Sequence, residues 1–116
     1  MRRLIPVLVL TAVGAALAAP ASAASFDCRK ARAADEKAIC ADRDLNDQDV
    51  RMSQLYDITR RLTPMGGRGA IMDQQTLWLK ARRTCGGDRA CLRRSYDQRL
   101  EALNGVMERV YKQGPF

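Results

Sequence analysis

Apolar residues recur along much of this chain at three- and four-residue intervals, the spacing of a single buried helical face. From Asp35 to Cys40 the run Asp-Glu-Lys-Ala-Ile-Cys suits a short first helix that ends by Ala41, with Asp35 and Glu36 near its positive end. Leu45, Met52, Leu55, Tyr56, Thr59 and Leu62 predict a second helix over 45–62, capped by Asp42 or Asp44. Thr63-Pro64 and Met65-Gly66-Gly67-Arg68-Gly69 then break the pattern and predict a loop over 63–70. Ile71, Gln75, Trp78, Ala81 and Arg82 share one face of a third helix over 71–85. Gly86 suits a left-handed C-terminal cap, and Asp88 suits the N-cap of a fourth helix. That last helix carries the clearest stripe: Leu92, Tyr96, Leu100, Leu103, Met107, Val110 and Tyr111. The pattern predicts an all-α fold, a small bundle of about four helices with a helical hairpin, and no second domain or repeat.

The first 23 residues follow a different rule. Met1-Arg2-Arg3, the apolar run Leu4 to Ala19 and the small residues Pro20-Ala21-Ser22-Ala23 read as an export signal cleaved after Ala23. The run is shorter than the roughly 20 residues of a spanning helix, so no stable membrane anchor is expected after cleavage. Export implies a periplasmic or secreted protein, with residues 24–116 as the mature domain. Such a chain is small for a self-sufficient core, and covalent staples are expected. Cys28, Cys40, Cys85 and Cys91 all survive processing, and an even cysteine count in a small exported chain reads as a disulfide framework. Three connectivities are open; proximity favours Cys28 to Cys40 and Cys85 to Cys91, the second bridge clamping the hairpin.

Charge and residue types narrow the chemistry. The whole chain carries +7; with Arg2 and Arg3 removed, 18 basic residues against 13 acidic ones leave +5, a surface suited to an anionic envelope component such as a glycan, lipid or acidic protein. Nucleic acid is not expected, because export removes the opportunity and the six aromatic residues are not interleaved with the basic ones. Zinc lacks its ligand spacing: the cysteines stand as C-x₁₁-C and C-x₅-C, and there is no histidine. Asp42, Asp44 and Asn46 begin like a calcium loop, but Asp47 and Ser53 occupy the positions that need Gly and Glu. No cofactor is expected. Without histidine a serine or cysteine nucleophile would lack its usual base, and the acids are spread rather than paired, so the chain reads as a binding protein and not an enzyme.

Two groups of residues stand out. Asp49, Arg82 and Arg99 fall on or beside apolar stripes, where a charge needs a partner. They predict a structural polar cluster in which Asp49 pairs with one arginine across the helix interface and the other arginine stacks on Trp78 or a tyrosine; an anionic-ligand pocket is the functional alternative. The expected loop over 63–70 is an ordinary connector by composition. As a projection it would offer Met65 and Arg68 as an inhibitory loop, able to reach the carboxylates of a glycan hydrolase cleft.

Further resemblance comes from the order of short segments. Ser25-Phe26-Asp27-Cys28, Glu36-Lys37-Ala38-Ile39-Cys40-Ala41-Asp42, Leu45, Asp49, Leu55 and Tyr56 resemble the first half of the LprI-type lysozyme-inhibitor domain, a family of small exported bacterial proteins. Gln75-x-x-Trp78-Leu79-x-x-Arg82-x-x-Cys85 and Cys91-Leu92-x-x-x-Tyr96-x-x-Arg99-Leu100-x-x-Leu103 resemble its second half. The resemblance covers nearly the whole mature chain. It departs at Ala33, where the family tends to have a Ser or Thr cap, and at Arg83, where an acidic residue is common. It implies a helical, disulfide-bonded envelope domain and, for the named member, inhibition of lysozyme, which makes lysozyme or a related muramidase a candidate partner. It carries no contact residues with it.

Overall fold

The computed structural model describes residues 24–114, and the expected signal peptide over 1–23 lies outside the described residues. A short 3-10 turn, Cys28–Lys30, leads into four helices: α1 Ala34–Ala41, α2 Arg43–Leu62, α3 Met65–Thr84 and α4 Arg89–Lys112. Both disulfides form with the pairing that proximity favours. Cys28–Cys40 ties the entry segment to α1 across 5.8 Å between Cα atoms, and Cys85–Cys91 spans 5.5 Å at the α3–α4 turn. In the loop-closure picture each such short bridge contributes about 2–3 kcal/mol by restricting the unfolded chain.

Local chemistry sets the helix ends. Asp42 is a single extended residue that both terminates α1 and caps α2, its carboxylate accepting the Leu45 N–H at 3.1 Å. The α3–α4 turn needs a left-handed residue, and Gly86 (φ 56°) supplies the only positive φ among the described residues. Asp88 then caps α4 by accepting from the Cys91 N–H. Ala33, at the N-cap of α1, offers no side-chain bond. Glu36 gives partial compensation by accepting the Arg32 N–H at a long 3.4 Å.

The expected loop over 63–70 does not form. Only Thr63 and Pro64 separate α2 from α3, and Met65, Gly66, Gly67, Arg68 and Gly69 are helical. Glycine costs a helix about 1 kcal/mol per residue relative to alanine, which is why the composition reads as a breaker. Here geometry outweighs that preference. A Cβ on Gly67 would come within 2.7 Å of the Thr63 Cγ2, so the tight connection requires a bare Cα at this position. Pro64 has no N–H to lose, and its carbonyl accepts the Gly67 and Arg68 N–H groups.

The core is chiefly the joint between α2 and α4, the most extensive helix pair. Ile39 of α1, Leu45 and Met52 of α2, and Leu92, Tyr96 and Leu103 of α4 are buried together, with Phe26, Leu55, Trp78 and Leu100 packed around them. Each fully buried side chain of this kind contributes about 1.5–3 kcal/mol. α3 is held differently. Its buried residues are Ile71, Gln75 and Arg82, so two of its three anchors are polar.

Candidate functional site

Arg82 sits at the centre of the bundle and gathers three helices around α3. Its Nε donates to Asp35 Oδ2 of α1 at 2.9 Å, and its Nη1 donates to Tyr96 Oη of α4 at 3.3 Å and lies 3.7 Å from Asp49 Oδ1 of α2. Tyr96 in turn donates to Asp49 Oδ1 at 2.8 Å, and the Ser25 N–H donates to Asp49 Oδ2 at 2.7 Å. Asp35 and Asp49 are 1 % and 0 % exposed, so no water is available to replace these bonds. The guanidinium also faces the Trp78 ring at 5.6 Å and the Phe26 ring at 5.8 Å. Burial opposes its charge, yet Tyr96 and Asp35 together hold the Arg82 pKa above its ordinary value. Burial and the neighbouring Asp49 carboxylate push the Tyr96 hydroxyl well up, so it remains a donor.

The expected division of labour between the two arginines is corrected by this geometry. Arg82 does both jobs, pairing with carboxylates and stacking on Trp78, because its α3 position lies between α1, α2 and the indole. Arg99 does neither. Its Nε donates to Gln75 Oε1 at 2.9 Å, while Gln75 Nε2 reaches the Met52 sulfur at 3.3 Å. Arg99 Nη2 is buried with no hydrogen-bond partner among the described residues, and desolvation lowers the Arg99 pKa. Trp78 packs edge-on against Tyr96 at 5.3 Å between centroids and donates its indole N–H to the Ser95 carbonyl. It is a core anchor.

Asp35 is the residue that the sequence reading placed elsewhere. Its position at the start of α1 suggested a helix-dipole role, whereas its side chain points inward to Arg82. The available signal was spacing: Asp35 stands four residues before the fully buried Ile39 and shares its face. Gln75 and Tyr96 were visible only as stripe positions. Their polar ends acquire partners from helices far away in sequence.

These polar residues are directed at one another. Met65 and Arg68 are not a flexible projection; both belong to the first turns of α3. Arg68 is half-buried and its Nη2 reaches back to the Arg61 carbonyl at 3.4 Å. Met65 is 84 % exposed, the most exposed large apolar side chain among the described residues, and Leu62 is exposed at the adjoining end of α2. Arg60 and Arg61 at this corner share Asp57 at 2.8 Å each. Among the described residues no group of three or more Cys, Asp or Glu side chains is placed to hold a metal ion, and no helix is long and apolar enough to cross a membrane. Against known proteins, the chain matches no family model, no curated protein and no solved structure.

Proposed function

We propose that this chain is an exported binding protein of the LprI type that recognises a protein partner through its helical surface, with lysozyme-like muramidases as the specific target. The observation that carries the reading is the α2–α3 corner. Met65 and Leu62 stand exposed there on helical backbone, beside Arg61, while the charged residues of the interior are taken up by packing. A rigid apolar knob flanked by cations suits insertion into a carboxylate-bearing cleft, because little conformational freedom is lost on binding. The two disulfides support an oxidising compartment such as the periplasm or the cell exterior.

The test is a cell-wall clearing assay with acidic and basic lysozymes and the oxidised protein over residues 24–116. Inhibition of at least one enzyme is expected, weakened about tenfold or more by Met65→Asp and little by Arg94→Glu on the exposed face of α4. Uninhibited clearing by every enzyme would remove the muramidase target. Equal effects of the two substitutions would remove the corner as the contact surface.

A further inference from the structure

A second surface feature lies away from the corner. Between α2, α3 and the Ser25-Phe26 segment runs a groove of about 670 Å³. Its apolar wall is Phe26, Met52, Tyr56, Met72 and Leu79, and its charged groups are Lys80, Arg82, Arg83 and a single acid, Glu36. Arg82 is committed to Asp35 and Asp49. Lys80 and Arg83 have no ion-pair partner among the described residues. The groove therefore joins apolar surface to two uncompensated cations.

Resting on the binding-protein reading above, we infer that this groove is a docking site for an acidic, apolar-rich peptide segment of a partner protein. The charge balance selects the sign of the ligand: Lys80 and Arg83 outnumber Glu36, on a chain that is basic overall. The apolar wall selects its class. Met72, Leu79 and the rings of Phe26 and Tyr56 offer adaptable apolar contact of the kind that accepts peptide side chains. Ser25, Ser53 and Thr76 also line the groove and can hydrogen-bond a peptide backbone, while two free cations are few for a polyanion held by charge alone. The volume falls within the roughly 300–1,000 Å³ typical of sites that enclose a small ligand or several side chains. The position of Phe26 gives the site a built edge, because Ser25 beside it is pinned by its N–H to the buried Asp49 carboxylate. Met72 and Leu79 stand seven residues apart on α3, two turns along one side of the helix, and so present a strip along which an extended or helical segment can lie.

A phage-displayed library of random short peptides, panned on the oxidised protein, is the probe. Enriched peptides are expected to carry Asp or Glu next to Leu, Met or Phe. Their synthetic versions should bind about tenfold or more weakly to Met72→Asp and to Arg83→Glu, and nearly unchanged to Arg94→Glu, with all three variants keeping the wild-type helical spectrum and melting within a few degrees of it. Lys80→Glu is the second groove variant should Arg83→Glu unfold. Failure to enrich peptides above a Met72→Asp/Arg83→Glu double variant overturns the proposal. So does enrichment of basic peptides, or equal weakening by Arg94→Glu. Binding of phosphatidylglycerol vesicles in place of peptides, lost in the same groove variants, overturns it in favour of a membrane surface. Lysozyme inhibition that survives the groove variants, with no peptide enrichment, removes the groove while keeping the muramidase reading. Peptide enrichment without lysozyme inhibition keeps the groove and removes that target.

Discussion

Removing Asp35 tests whether the buried network holds α3 in place. In Asp35→Ala the Arg82 Nε loses its partner at 2.9 Å, while Nη1 keeps Tyr96 at 3.3 Å and a more distant Asp49 at 3.7 Å. Breaking a buried pair by deleting one partner costs about 3–5 kcal/mol, and the surviving contacts place this case near the lower end, about 3 kcal/mol. For a domain of this size that corresponds to a fall in melting temperature of roughly 12–24 °C. Arg82→Met should be the worse single change, about 4 kcal/mol or more, because it leaves the buried Asp35 carboxylate without its partner and takes the counter-charge from Asp49, which keeps only its neutral donors Tyr96 and Ser25. The double variant Asp35→Ala/Arg82→Met should then cost about 2 kcal/mol less than the sum of the two, since each removal has already cancelled part of the other's penalty. The assay is equilibrium denaturant unfolding of the four oxidised proteins near neutral pH, monitored by far-UV circular dichroism with m-values compared. A loss within about 0.5 kcal/mol for Asp35→Ala, or strictly additive losses, would refute the claim that this pair fastens α3 to α1.

Three further outcomes follow from the same geometry. Arg99→Met with Gln75→Leu replaces a buried cation that has an orphaned Nη2 by apolar side chains of similar length, and should leave stability unchanged or raise it by about 1 kcal/mol in denaturant melts; a loss above about 2 kcal/mol would mean the charge has a stabilising role. Gly67→Ala should destabilise by about 1 kcal/mol or more despite the better helix propensity of alanine, whereas Thr63→Ser/Gly67→Ala should recover that loss, because serine removes the Cγ2 at 2.7 Å and keeps the hydroxyl bond to the Thr59 carbonyl; thermal melts of the two variants decide it. The backbone N–H of Leu45 first, aided by Arg93 and Arg89, holds the Asp42 carboxyl below its ordinary pKa. Its stabilisation is thus complete above the ordinary carboxylate range and lost as pH falls through the lowered folded pKa, so Asp42→Asn should make stability fall less steeply at acid pH than in the wild type, read from denaturant melts across the acid range; parallel curves would refute it.

How far the sequence reaches is clearest at the helix ends and the cysteines. The caps Asp42, Gly86 and Asp88 act on neighbours within about a turn, so their roles follow from residue type and order alone. The same holds for the apolar stripes of α2 and α4, whose period already implies a shared core, whereas for the cysteines proximity in sequence favours one of three connectivities without excluding the others. The exceptions have a common cause. The glycine-rich segment from 66 to 69 opposes helix formation locally and is nevertheless helical, its first turn closed by the Pro64 carbonyl and anchored by the buried Ile71 further along α3, while the close approach of Thr63 leaves room only for glycine at position 67. Asp35 carries the local signature of a helix-start acid and turns inward because Arg82, 47 residues away in sequence, arrives from α3. Arg82 and Arg99 occupy equivalent stripe positions, and only their placement separates them: one lies among two carboxylates and two aromatic rings, the other against the side-chain oxygen of a glutamine. Local propensity and periodicity determined the four helices apart from the first turns of α3, and where most of them stop. Long-range packing decided which polar residue finds which partner, because a buried charge is satisfied by whatever the assembled fold brings within hydrogen-bonding distance, and that distance is set by every helix at once.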